Sequence, residues 1–288
     1  MTLPITRICK KYSLKEIIKI IDYKYGLGFL ERTLSSNWLN PFCTIYLNFR
    51  SFPLKQAIRL PMFVYGRPRI YGLSGYMFIE GKVKTGMIKF NVVKCGAPSN
   101  MSIQSEIYNN GIIIFKGNGY IGTGTKINTG HNGTFILGKD FKIADMCNIG
   151  IFSQISIGEK TRIAHRCQIL DANYHYVANF NKKIIPKWYS PIIIGNGVWV
   201  CNSTTITGGS VIPNYCIIAS NSLVGKDFSN ESESSLIGGI PAKLIANNFR
   251  RVENREKERI ISKFYKDNPD GLYHIPEKDI IDDYSIKD

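Results

Sequence analysis

Several features that would narrow the field are missing from this chain. It has no CxxC pair and no Cys/His cluster, so nothing carries the spacing of a zinc site and no metal is expected. The 7 cysteines are scattered and odd in number, which argues against a disulfide framework and for a reducing, cytoplasmic setting. No apolar run approaches the roughly 20 residues of a membrane span. The start, MTLPITRICKKYSLKEII, lacks the uninterrupted apolar core of a signal peptide. Acid is scarce: 22 Asp and Glu stand against 37 Lys and Arg, a formal net charge of +15. That excess implies an anionic partner or surface. No helix-turn-helix, RRM or basic-helix signature accompanies it, so nucleic acid is not the expected partner. Phosphorylated co-substrates, anionic glycans and an anionic membrane all fit the charge.

What is present is a period of six. Counting from Ile194 gives Ile194, Val200, Ile206, Ile212, Ile218 and Val224, a branched aliphatic each time. A small or turn-forming residue follows each: Gly195, Cys201, Thr207, Pro213, Ala219 and Gly225. Neither a helix nor a simple amphipathic strand repeats at six. A triangular parallel β-solenoid does, with one hexapeptide per flat face and the aliphatic pointing inward at the same place on each. The small residue lets the chain bend at the corner.

The 288 residues could hold one large or two modest domains. Residues 1–61 read as a helical or irregular cap. Ser13 to Glu16 has the form of a capping box, with Leu14, Ile17, Ile18, Ile21 and Tyr25 as a helical stripe ended by Gly26 and Gly28. A second apolar segment, Pro41–Leu60, is rich in aromatics and broken by Pro53. Ten basic residues against three acidic ones before residue 61 also admit a peripheral contact with membrane or polymer. Residues 62–245 read as the solenoid. Its early strands are expected at Met62–Tyr65, Tyr76–Ile79, Met87–Val93 and Ile112–Phe115, in loose register. The register firms at Leu137, Ile143, Ile149 and Ile155, then slips by two to Ile157, Ile163 and Ile169, so one corner is expected to carry a small adjustment. At 171–191 (DANYHYVANFNKKIIPKWYSP) the repeat stops, resuming in phase at Ile192–Ile194. A rigid array tolerates that only as an excursion from a corner, and such excursions are usually functional. The solenoid is expected to end near Lys226-Asp227. In the remaining residues, 246–288, Arg250–Lys266 reads as a charged helix with Ile260, Ile261, Phe264 and Tyr265 facing inward, closed by Pro269.

The strict hexads, the Asp-x-x-x-His of the excursion, the Ile-Gly-x-x-Val-Trp restart and the Gly-x-Pro-Ala-Lys exit together resemble the hexapeptide-repeat acyltransferases. Within them the similarity is to the maltose, galactoside and polysaccharide O-acetyltransferases, good over 120–245 and loose over 62–120. The resemblance implies a left-handed parallel β-helix, an all-β solenoid, assembled as a homotrimer. It also implies acetyl-CoA as co-substrate, held in the grooves between neighbouring solenoids, and a carbohydrate acceptor.

Moving an acetyl group from a thioester to a hydroxyl needs a base to take the hydroxyl proton as the oxygen attacks. An imidazole, whose ordinary pKa lies near cytoplasmic pH, suits that task. His175, in the excursion where the family places such a residue, is the candidate; His131 and His165 lie in coil segments and His274 in the tail. Asp171 either orients the imidazole or makes an Asx turn out of the coil. The resemblance makes Trp199 a groove wall, with subunit packing as the alternative. It sets Asn202 and Ser220 by the pantetheine arm, Gly225 and Lys226 near the adenosine end, and Pro241 beside the adenine. Lys226 and Lys243 either pair with CoA phosphates or are solvated. Lys183, Trp188 and Tyr189, with Lys182, share the excursion with His175; the aromatics suit stacking on a sugar ring, or loop packing.

The expected reaction is therefore O-acetylation of a sugar in cell-surface polysaccharide biosynthesis. N-acetylation of an amino sugar nucleotide on the same scaffold is the alternative. Outside the enzymes, a non-catalytic solenoid used for binding or structure predicts uninterrupted faces, which 171–191 opposes.

Overall fold

The computed structural model describes residues 37–93 and 103–285, together with Ser13 and Glu16. Among these residues the strands form three parallel sheets of nine, seven and six, joined face to face into a prism. We call them faces 1, 2 and 3 in the order the chain visits them. The final pair of face 1 is the exception, an antiparallel hairpin formed by Leu236–Gly239 and Ala242–Ala246.

The hexad aliphatics fill the prism. Ile194, Val200, Ile206, Ile212, Ile218 and Val224 are all buried, as are Leu137, Ile143, Ile149 and Ile155. Each inward residue sits on the equivalent residue of the neighbouring coil: Ile143 on Ile163, Ile163 on Val200, Val200 on Ile218. The same stacking runs through Ile149, Ile169, Ile206 and Val224 on face 2, and through Leu137, Ile157, Ile194 and Ile212 on face 3. The core is therefore one continuous column, the form a stacked repeat takes when each unit alone cannot cover its apolar face.

The early strands lie at Met62–Val64, Tyr76–Ile79, Ile88–Val92 and Ile112–Phe115, close to where the pattern places them. Their register looks loose in the sequence because the coil is wider there. Phe115 pairs with Leu137, 22 residues on; Leu137 with Ile157, 20 on; Ile194 with Ile212, 18 on. Wider coils need larger fillers, and Phe90, Phe115, Phe135 and Phe141 are all fully buried at that end. From Phe115 onward the step across the other two corners stays at six residues, as in Phe115 to Ile121 and Ile121 to Ile127. All the variation falls at the corner between faces 2 and 3: ten residues from Ile127 to Leu137, eight from Ile149 to Ile157, six from Ile206 to Ile212. The two-residue slip read from the sequence is this corner.

Small residues at the corners are required by contact. A Cβ at Gly158 would lie 2.4 Å from the carbonyl carbon of Gly195, and one at Gly138 would lie 2.4 Å from the amide of Glu159. Both obstacles are backbone of the next coil, which cannot swing away.

Two expectations need correction. The stacked array does not stop at Lys226-Asp227: Phe228 is buried, and Leu236–Gly239 extends face 1 by a further strand, with Ile218 on Ile237. Nor does the charged helix begin at Arg250. It spans Arg255–Asp267, capped by Asn254, while residues 250–254 form a strap without regular structure over face 1. Their side chains are held by the coil, as described below. None of the helix is buried; Ile261 and Phe264 are half-buried, but Ile260 and Tyr265 are exposed. The capping box is present, with the Ser13 amide donating to Glu16 and the Glu16 amide to the Ser13 hydroxyl. The helical stripe expected at 14–25 lies outside the described residues.

Candidate active site

The excursion leaves face 2 after Gln168–Leu170 and returns to face 3 at Ile192–Ile194. Ile169 stacks on Ile206, 37 residues on, so the loop adds nineteen residues to an 18-residue coil. It arises from the one corner whose length varies. Its two ends are tied together by the Ser190 amide donating to the Asp171 carbonyl at 2.8 Å. They sit under Gly208, where a Cβ would lie 2.8 Å from the Asp171 oxygen and 2.9 Å from that of Ser190.

Asp171 is buried, and both its carboxylate oxygens accept backbone hydrogen bonds at 2.8 Å, from the amides of Phe152 and Ser153 in the coil below. Burial pushes its pKa up, and those amides oppose the shift without cancelling it. Of its two possible roles, the geometry supports the corner anchor. Asp171→Ala would orphan two amides at about 1–3 kcal/mol. The expected result is a lower melting temperature and earlier proteolytic nicking within 172–190, while an unchanged nicking pattern would show that the loop is held elsewhere.

Above this anchor the aromatics pack into a base for the loop. Phe152 meets Tyr174 edge-on at 4.8 Å between centroids and Trp188 at 5.5 Å, and Trp188 meets Tyr189 at 5.4 Å. Trp188 and Tyr189 are thus partly used in loop packing. Both still line one wall of a cleft of about 450 Å³ with Gly130, His131, Asn132 and Gln154. His131, passed over as a coil residue, is brought to this cleft by its corner; no local sequence signal pairs it with Trp188, 57 positions away. Lys183 lies at the tip of a small hairpin closed between Asn179 and Ile184. His175 is exposed on the limb before that hairpin, flanked by Tyr174, Tyr176, Val177 and Phe180, all at least half exposed.

The other candidate residues fall into three places. Asn202 and Ser220 share the corner between faces 1 and 2, one coil apart, and the Ser220 hydroxyl donates to the Asn202 side-chain oxygen at 2.8 Å. The end hairpin closes over that corner, with the Gly239 amide on the Ser222 hydroxyl at 3.1 Å; Pro241 is in its turn and Lys243 exposed on its return strand. Gly225 and Lys226 follow face 2 at the corner that carries the excursion, and the Lys226 ammonium lies 4.6 Å from the centre of the Phe228 ring. Trp199 is on face 1, half-buried, with the Arg251 guanidinium 4.9 Å above its ring. The expected residues therefore divide between the two edges flanking face 2, with Trp199 round the corner on face 1.

Trp199 lines a groove of about 800 Å³ between face 1 and the strap. Outward residues stack up the face as Tyr120, Lys142, Arg162 and Trp199. Arg162, 8% exposed in its side chain, pairs with Asp140 at 2.6 Å and with Glu253 of the strap at 3.1 Å. Burial, and then the Arg162 charge, push the Lys142 pKa down. Sequence reading missed this cluster because its members lie up to 133 positions apart. Among the described residues no group of three or more His, Cys, Asp or Glu side chains is placed to hold a metal ion. Nor is any helix long and apolar enough to cross a membrane.

A six-residue repeat and a loop raised from one corner are what the resemblance to the hexapeptide-repeat acyltransferases implies, and that resemblance is borne out: the chain is similar to acyltransferases of this class. In particular it is similar to WbbJ of Escherichia coli (strain K12), whose name gives it as an O-acetyl transferase of lipopolysaccharide biosynthesis. The two are 28% identical over 183 residues, covering 61% of this chain and 89% of WbbJ. Among solved structures, the polySia-specific acetyltransferase NeuO is 19% identical with a TM-score of 0.42, over 78% of this chain and 95% of NeuO. The acetyltransferase VCA0836 of Vibrio cholerae, solved with acetyl coenzyme A, is 22% identical with a TM-score of 0.34, over 41% and 61%. No protein-family model matches the chain.

Proposed function

We propose that the chain transfers an acetyl group from acetyl-CoA to a hydroxyl of a cell-surface sugar, in a groove formed between copies of itself. The observation that carries this is His175, held exposed on a loop whose root Asp171 fixes to a rigid coil. The name of WbbJ supports the acetyl donor and the lipopolysaccharide setting. In the reaction, the His175 imidazole accepts the proton of the acceptor hydroxyl while that oxygen bonds to the thioester carbonyl carbon. The carbonyl becomes an oxyanion, for which a backbone amide of the groove is the natural donor. When the oxyanion collapses, the C–S bond breaks and the proton passes from His175 to the departing thiolate. Acetyl ester and free CoA thiol result, with the imidazole neutral again.

The division of the candidate residues supports a groove shared between copies. Asn202, Ser220 and Pro241 lie on one edge of face 2, and His175, Gly225 and Lys226 on the other. Packing prisms side by side brings opposite edges together, which one copy alone cannot do. The exposed Tyr176, Val177, Phe180 and Ile185 around His175 are the apolar surface such a neighbour would cover. A homotrimer closes this arrangement with one groove per pair.

The test is acetyl-CoA turnover by the full chain against a panel of sugars, read as free thiol and as product mass. Acceptor-dependent thiol release with an alkali-labile product is expected. An alkali-stable amide would move the reading to N-acetylation of an amino sugar. Absence of both turnover and acetyl-CoA binding would leave a non-catalytic solenoid.

A further inference from the structure

The first described helix, α1 (Pro41–Ser51), is built inside out. Its apolar residues Phe42, Ile45, Tyr46 and Phe49 recur at i, i+3, i+4 and i+7, the spacing of a stripe that ordinarily faces the core. Here they face away from it. Phe42 is 82% exposed, and Ile45, Tyr46 and Phe49 are each about half exposed. The face turned inward is largely polar: Thr44, Asn48 and Ser51 are buried with Leu47.

The reason lies in the sheet below. Met62–Val64 is the edge strand of face 1, and its backbone groups need partners that no further coil supplies. Asn48 accepts from the Met62 amide at 3.1 Å and donates to the Met62 carbonyl at 2.7 Å, and Thr44 accepts from the Val64 amide at 3.0 Å. The short helix α2 (Leu54–Ala57) does the same for face 3. There the Gln56 side chain both donates to and accepts from Ile79 at 2.9 Å. Capping with polar side chains forces the apolar stripe outward. Leu54, 69% exposed, and Ile58, 62% exposed, extend it.

The same surface is basic. Arg50, Lys55 and Arg59 are exposed among these residues, and the sequence contains no Asp or Glu from Arg32 to Ile79. Aromatic and aliphatic side chains ringed by cations are the composition of a helix lying in the headgroup layer of an anionic membrane. A second copy seated face to face would set the three cations against their own equivalents. The chain's own residues 1–36 carry seven basic and three acidic side chains, again of the wrong sign to cover a basic patch. We propose that the outward face of α1 and α2 docks on an anionic bilayer, with the capped end of the prism against the lipid.

The test is flotation of the full chain with vesicles of phosphatidylcholine containing roughly 30% phosphatidylglycerol, against phosphatidylcholine alone, at low and high salt. Binding to the anionic vesicles only, weakening with salt, is expected. Each cation near the surface contributes roughly a fivefold factor, so R50Q/K55Q/R59Q should lower partitioning on the order of a hundredfold. F42S/F49S should lower it by about tenfold or more, with the melting temperature unchanged. No binding to anionic vesicles overturns the proposal. Undiminished binding by both variants also overturns it, assigning the lipid contact to residues 1–36. A change in sedimentation coefficient of F42S/F49S without loss of lipid binding would give the face to a second copy, and would overturn it too.

Discussion

His175→Ala is expected to lower acetyl transfer by roughly 10²–10⁴ while acetyl-CoA still binds. The size follows from the single task given to this side chain, taking the acceptor proton as the new C–O bond forms. Binding survives because the candidate donor contacts lie elsewhere, at Asn202, Ser220 and the end hairpin. The exposure of His175 means its removal leaves no cavity, so stability should not move. Single-turnover rates with donor affinity and melting measured beside them separate these effects. A variant of full activity would remove His175 from the mechanism, and His131 in the neighbouring cleft would be the next residue to test. A variant that no longer bound acetyl-CoA would instead place the loop in the donor site.

The largest expected loss of stability comes from Arg162→Met. The side chain of Arg162 is 8% exposed, and it holds Asp140 at 2.6 Å on its own face and Glu253 at 3.1 Å on the strap. Methionine keeps the length and removes the charge, leaving Glu253, itself 13% exposed, with Arg251 at 3.0 Å as its remaining cation. Breaking a buried pair from one side costs about 3–5 kcal/mol where the remaining charge is left alone, and the Arg251 pair to Glu253 keeps this loss toward the lower figure. In a chain of this size each kcal/mol lowers the melting temperature by about 2–4 °C. The strap should also loosen around Glu253, while Arg250, 9% exposed and donating to the Ser234 hydroxyl at 2.8 Å, still ties its start to the coil. Limited proteolysis should then cut first within 250–285. Glu253→Gln, which keeps a hydrogen-bond acceptor for Arg162, should cost less. If Arg162→Met melted with wild type and stayed intact, the strap would be held by Arg250 and its bonds to Ser234 instead.

The sequence made the prism legible because its rule is local. A branched aliphatic every sixth residue can be counted, and every counted position from Ile194 to Val224 is buried. The excursion was legible for the same reason, as an interruption of a count. The partners of a corner residue were not, since they come from the next coil, 18 or more positions away. That is why Asp171 remained open between two roles until its carboxylate was placed on Phe152 and Ser153. The strap reads as helix because Arg250, Arg251 and Glu253 suit a charged helix equally well, whereas Tyr215, Ser234, Trp199 and Arg162 hold their side chains against the coil. The stripe of α1 has the right spacing and the opposite direction, because periodicity says which residues share a face and nothing about where it points.

From Phe115 onward, the chain changes length at one edge of the prism and keeps two edges fixed at six residues. For an engineer this separates frame from cargo. Segments of ten, eight, six or twenty-five residues already span that edge between stacked positions on faces 2 and 3, with no coil losing register. A loop transplanted there from a relative should leave the column of aliphatics untouched. One residue added at either other edge would turn every later side chain of its coil out of phase. Under the proposed function, selectivity for the acceptor would be rewritten without renegotiating the fold, between Leu170 and Ile192.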